Sequence, residues 1–168
     1  RLPSLATGRV FFVYYGNPEA SATSAVPFED YAAVWHLSDV SDASASGSDA
    51  TPGPTTSFAP GQIGDASVQV INTPTELAVP AAPALANLFA SGGTLSAWIR
   101  ADNTGGNGFG RILDKAATLS GSDGWTFHIQ SSSPASPTFG LSFERGHSLT
   151  AANLVADGPL MGLDEWHH

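Results

Sequence analysis

Three stretches of this chain alternate apolar and polar side chains with a period of two, and that rhythm limits the fold more than any other feature. Leu95, Ala97 and Ile99 fall on one side of a strand, with Ser96, Trp98 and Arg100 on the other. Trp125, Phe127 and Ile129 alternate with Thr126, His128 and Gln130, and Phe139, Leu141 and Phe143 alternate with Gly140, Ser142 and Glu144. Successive strand residues point to opposite faces, so each stretch predicts a half-buried antiparallel strand. Short apolar runs separated by turn clusters extend the pattern along the chain. Arg9–Tyr15 is a β-prone run closed by Gly16-Asn17-Pro18, and Tyr31–Leu37 is a second strand carrying Val34, Trp35 and Leu37. Residues 38–62 read as a long loop with one short strand near Ala50-Thr51, followed by a kinked, buried strand over Ser67–Ile71. Only Pro83–Ala90 reads as helix, with Leu85, Leu88 and Phe89 at i, i+3 and i+4 and Gly92 behind. No internal repeat is present. The predicted fold class is all-β.

Charge narrows the partners. Six Lys and Arg against fifteen Asp and Glu leave a net charge of −9, which repels nucleic acid and anionic lipid. No apolar run approaches the roughly 18 residues of a membrane-spanning helix, so no membrane insertion by this segment is expected. The chain has no cysteine, which removes disulfides, thiolate metal sites and a Cys nucleophile without identifying the compartment.

From Tyr31 onward the order of motifs resembles the laminin-G-like, concanavalin A-type lectin and glucanase superfamily. Val34-Trp35-His36-Leu37 is similar to its first core strand, and Asp42 to Thr51 resembles its Asp-Ser-x-Gly-x-x-Asp loop in a drifted form. Gly61-Gln-Ile-Gly-Asp-Ala66 resembles the family's turn before the next strand. Thr94-Leu-Ser-Ala-Trp-Ile99 is the most specific segment. Ile112–Lys115, Gly124–Phe127 and Trp166-His167-His168 follow in the family's order. The resemblance implies an antiparallel β-sandwich of the concanavalin A-like jelly-roll type over residues 31–168, continuing past Trp-His-His through further strands. Those strands would come from the same chain or from a partner chain. Residues 1–30 resemble the tail of a bacterial envelope domain often encoded beside TolQ/ExbB/MotA-type proton channels. That second resemblance implies a location at the cell surface, in the periplasm or outside the cell.

The Asp-rich loop is the first candidate site. Asp39, Asp42 and Asp49, with Ser hydroxyls and backbone carbonyls, are the oxygen donors that Ca²⁺ takes, so calcium is the one cofactor expected. The competing reading is a solvated loop in which Asp and Ser bond their own backbone. Catalytic residues are not expected. The family's glucanases set their carboxyls on one strand face as Glu-x-Asp-x-x-Glu or Glu-x-Asp-x-Glu, and no Glu here opens that spacing. Glu29-Asp30 and Asp164-Glu165 are adjacent pairs that point apart. His36, His128 and His147 are scattered, and neighbours such as His167-His168 diverge on a strand, unlike a zinc-binding i, i+4 pair. The Gly-rich run 105–110 reads as a hairpin connection. For sugars, Trp98 and Trp125 are the candidate stacking platforms, with Asn103 and Asn107 bonding hydroxyls.

The leading expectation is a non-catalytic module of a bacterial surface or envelope protein that binds a glycan or a surface. The alternative is a structural or assembly module of an envelope complex linked to such a channel. A glycoside hydrolase requires carboxyls from beyond residue 168.

Overall fold

The computed structural model describes residues 27–89, 92–106, 108–115, 123–131, 133, 135–147, 152–154 and 160–168. The β-prone run at Arg9–Tyr15 and nearly all of the expected 1–30 tail lie outside them, as does Asn107. The described chain is antiparallel and all-β. Its strands are β1 (Thr51–Pro52), β2 (Ser57–Pro60), β3 (Asp65–Val68), β4 (Leu77–Ala78), β5 (Ile99–Arg100) and β6 (Phe109–Asp114). Then come β7 (Asp123–Gln130), β8 (Thr138–His147), β9 (Ala152–Leu154), β10 (Met161–Gly162) and β11 (Trp166–His167). A single-turn helix, α1 (Pro83–Ala86), sits between β4 and β5.

The main sheet has five strands in the order β10-β8-β7-β6, with β9 also paired to β8. Its register sets Arg111, His128 and Ser142 side by side, and likewise Asp114, Thr126 and Glu144. Between Arg111 and Leu113 the ladder slips by one residue. Such a bulge re-aims side chains. Here it brings Arg111 and Asp114 to the same face, where they form a 2.8 Å ion pair. The opposite, apolar face carries Trp125, Phe127, Ile129, Leu141 and Phe143. Near α1 it is covered by Phe89, whose ring meets Trp125 and Phe143 edge-on at 5.3 and 5.0 Å. Lys115 ties α1 to the edge of this sheet, because its Nζ donates to the carbonyls of Leu85 and Ala86 at 2.6 and 2.9 Å. A cation at those carbonyls satisfies groups that a helix end leaves unpaired.

The β5–β11 ladder pairs Trp166 with Arg100 and His167 with Ile99. Phe139, fully buried in β8, joins it to the main sheet through an edge contact with the His167 ring at 5.9 Å. Two further small ladders, β1–β4 and β2–β3, occupy the region before α1.

Several expectations need correction. Tyr31–Leu37 is not a strand: only a bridge between Trp35 and Asp42 forms, and Leu37 takes a left-handed φ of 60° that turns the chain back. Left-handed backbone is costly for a Leu, so the turn is held from outside by the contacts of Asp42 described below. The 38–62 stretch holds two strands, β1 and β2, with β1 close to the one expected. The Ser67–Ile71 strand starts earlier, at Asp65, and ends at Val68. The helix stops at Ala86, with Asn87 leaving helical geometry at ψ 46°. The Gly-rich run does not join paired strands, because β5 pairs with β11 and β6 with β7. Instead Gly105, at φ 78°, opens a tight turn into β6, where a Cβ would collide with the Phe109 carbonyl oxygen.

Candidate functional site

Asp42 is buried, and its carboxylate accepts five hydrogen bonds. Oδ1 takes the N–H groups of Val34 and Ser44, both at 2.8 Å. Oδ2 takes the hydroxyls of Ser44 and Ser46 at 2.9 and 2.7 Å and the N–H of Ser48 at 2.8 Å. Serines at i+2, i+4 and i+6 therefore wrap one carboxylate, with Gly47 at φ 59° closing the curl. Burial pushes the Asp42 carboxyl up, but the bonds from Val34, Ser46, Ser44 and Ser48 outweigh it and hold the group well below the usual range.

Asp49 accepts the Asp42 N–H at 2.8 Å, and exposed Asp39 accepts the Ser41 N–H at 2.8 Å. That backbone bond is the largest of the causes lowering the Asp39 carboxyl. The three expected calcium ligands thus share a loop, but Asp42 is filled by donors. A carboxylate offers about four lone-pair positions, and hydrogens aimed at them present the wrong polarity to a cation. Among the described residues, no three His, Asp or Glu side chains gather in a metal-holding group. The loop is not simply solvated either, because the Asp42 bonds reach back to Val34 and Trp35 Nε1 donates to the Ser48 carbonyl at 3.0 Å.

The second polar centre lies on the main sheet. His128 is 2% exposed and Ser142 1%, and among the described residues neither ring nitrogen of His128 nor the Ser142 Oγ has a hydrogen-bond partner. Glu144 Oε1 lies 4.0 Å from His128 Nε2, and the Phe109 ring packs against the imidazole at 5.4 Å. Burial is the main reason the His128 pKa is lowered; Glu144 opposes that shift, Arg111 adds to it and Asp114 opposes it. The alternation correctly placed these side chains on the polar face, yet that face is buried at its centre.

The third group is the outer face of the β5–β11 ladder. Leu95, Ala97 and Ile99 are half-buried and Ser96, Trp98 and Arg100 exposed, as the alternation predicts, but the strand expected over 95–100 forms only at Ile99–Arg100. Cross-strand partners share a face, so Trp166 joins Arg100 there, and His168 stands opposite Trp98. Ser96 Oγ and His168 Nε2 are 2.7 Å apart, and the His168 ring lies 5.0 Å from Trp98. Trp98 remains 42% exposed. Asp164 sits in the turn between β10 and β11 at a left-handed φ of 60°, with its N–H bonded to the Ala101 carbonyl at 2.8 Å. Arg100 Nε donates to the Asp164 carbonyl at 3.3 Å, and its terminal nitrogen stands 3.9 Å from Asp164 Oδ1.

Of the four expected sugar contacts, Trp98 is on this face. Trp125 is on the apolar face of the main sheet, half-buried between Phe89 and Phe143. Asn103 is exposed but organises its own turn, bonding Asp102 and accepting the Gly105 N–H at 2.8 Å. Asn107 lies outside the described residues. Sequence reasoning missed His168, whose ring packs beside Trp98, and Arg100 with its partners Asp164 and Trp166 further along the same ladder. The alternation places Arg100 beside Trp98, whereas the others depend on a cross-strand register that no local signal encodes.

No family model matches this chain, and neither a curated protein nor a solved structure does.

Proposed function

We propose that this chain is a non-catalytic binding module of a bacterial surface or envelope protein, and that its ligand is a glycan. The observation that carries the reading is the β5–β11 face. An exposed indole stands one residue before β5, with the His168 ring packed against it and Ser96 and Arg100 on the same side of the segment. An exposed indole offers a flat apolar surface for the C–H face of a sugar ring, and neighbouring polar groups meet the hydroxyls. The motif order from Tyr31 to His168 supports the same reading, because Trp98 and Trp166 belong to two of the segments that resemble lectin-like domains. The envelope assignment rests on those sequence resemblances.

The test is a glycan array probed with the chain, followed by titration of any hit. Binding of at least one glycan, weakened by W98A, is the expected result. Absence of binding to every glycan at millimolar concentration would favour the structural or assembly role instead.

A further inference from the structure

Building on the glycan reading, we infer that the β5–β11 face selects neutral pyranoses and rejects acidic sugars, and that the Arg100–Asp164 pair is the selecting element. The argument begins with a gap. The Arg100 terminal nitrogen and Asp164 Oδ1 are 3.9 Å apart, too far for a direct hydrogen bond. An oxygen about 2.8 Å from both fits between them, accepting from the guanidinium and donating to the carboxylate. A sugar hydroxyl does both at once. A carboxylate or sulfate oxygen has no hydrogen to give Asp164 and meets its charge instead.

The Arg100 charge is also occupied locally. Its Nε is committed to the Asp164 carbonyl and its terminal nitrogen faces the Asp164 carboxylate, so it is a poor anchor for an anion. The net charge of −9 works in the same direction. Both side chains are solvent-facing, at 53% and 68% exposure, so a ligand reaches them without rearrangement.

The geometry is held in place. Asp164 keeps a left-handed backbone that is uncommon for a residue with a side chain, fixed by its N–H bond to Ala101. The β5–β11 pairing sets Trp166 beside Arg100, and the Ser96–His168 bond fixes the imidazole beside Trp98. A ring stacked on Trp98 therefore has Arg100, two residues on and on the same exposed side of the segment, close by, with Asp164 beside it. Asp164 and Arg100 act here as specificity-determining residues, with Trp98 as the platform.

The experiment titrates the 168-residue chain with neutral hexaoses (cello-, xylo- and manno-oligosaccharides) and with oligogalacturonate and sialyllactose, following Trp fluorescence and NMR shifts. The expected result is binding of at least one neutral ligand, with the acidic ones at least about tenfold weaker, a difference of about 1.4 kcal/mol. W98A weakens the neutral ligand by about tenfold, whereas W98F retains most of the affinity, which separates loss of a platform from loss of fold. D164N, in a residue type that tolerates left-handed backbone, narrows the neutral-to-acidic gap by at least about threefold. If neutral glycans bind but acidic ones bind equally well, or D164N leaves the gap unchanged, the selection proposal is overturned while the glycan reading stands. If W98A leaves binding intact, this face is not the site. If nothing in either class binds, the glycan reading falls and this proposal falls with it.

Discussion

Asp42 and His128 are both buried polar residues at the centre of their neighbourhoods, and they are satisfied in opposite ways. Asp42 receives five protein donors, whereas the ring nitrogens of His128 and the hydroxyl of Ser142 beside it meet no hydrogen-bond partner among the described residues. A buried hydrogen-bonded group contributes modestly, but a buried unpaired one carries its whole desolvation penalty. The Asp42 loop is therefore a stabilising clasp that fixes the Val34–Ala50 segment. The His128–Ser142 pair carries that desolvation penalty unless water reaches it. Sequence distance explains the contrast: four of the five Asp42 bonds come from residues within six positions. The burial of His128 comes from strands and a ring brought together from elsewhere in the chain.

The largest expected effect is loss of the clasp. D42A leaves three backbone N–H groups and two hydroxyls without their acceptor and is expected to cost about 3 kcal/mol, read as a shift in the urea midpoint. A cost below about 1 kcal/mol would show that the loop does not depend on this carboxylate.

Acidification sharpens the comparison, because the two groups titrate in different windows. The His128 pKa is depressed in the folded protein, so the unfolded chain takes the proton first. Its contribution to stability is complete above about pH 6.5 and declines as the pH falls from there toward the folded value. The Asp42 pKa is depressed as well, so the stability it supplies is present above the unfolded value of 3.8 and is lost as the pH falls further. Melting temperature against pH is expected to fall in two steps. H128N should remove the upper step and D42N the lower one. A single step unaffected by H128N would mean that the imidazole is satisfied in solution.

A smaller effect, opposite in sign, is expected from S142A. Removing a buried hydroxyl that has no partner is expected to be neutral or to stabilise by up to about 1 kcal/mol. A clear loss of stability would reveal a bonded hydroxyl, for instance through an internal water. The smallest effect concerns calcium. With Asp42 filled by donors, millimolar Ca²⁺ and EDTA are expected to give the same melting temperature. A rise with calcium concentration would show a cation displacing those donors.

Legibility in the sequence followed the range of the interactions. Alternation over 95–100 told correctly which side chains point out, and every outward residue from Ser96 to Arg100 is exposed. The same rule misjudged the middle of the main sheet, since Thr126, His128 and Ser142 are on the polar face but are buried. Periodicity assigns a side chain to a face and is silent on what covers that face. The spacing Asp42, Ser44, Ser46, Ser48 marked a carboxylate-centred loop, but a cation and a set of serine donors need the same oxygens. Only the direction of the hydrogens tells them apart.

The sequence by itself determined the all-β class, the inward and outward sides of the segment that ends in Ile99–Arg100, and the Asp-Ser loop as a polar centre. Each rests on contacts within a few residues, where backbone geometry converts spacing directly into position. Tertiary structure alone decided that Trp98, Arg100, Asp164, Trp166 and His168 share a surface and that, among the described residues, the His128 ring nitrogens meet no hydrogen-bond partner. It also decided that Arg111 and Asp114 meet across a bulge. Those outcomes depend on strand register between segments more than 60 residues apart, as in the 64-residue separation of Arg100 and Asp164, or on a one-residue slip in a ladder. A register is chosen by the total energy of the paired strands, which no local stretch of residues contains.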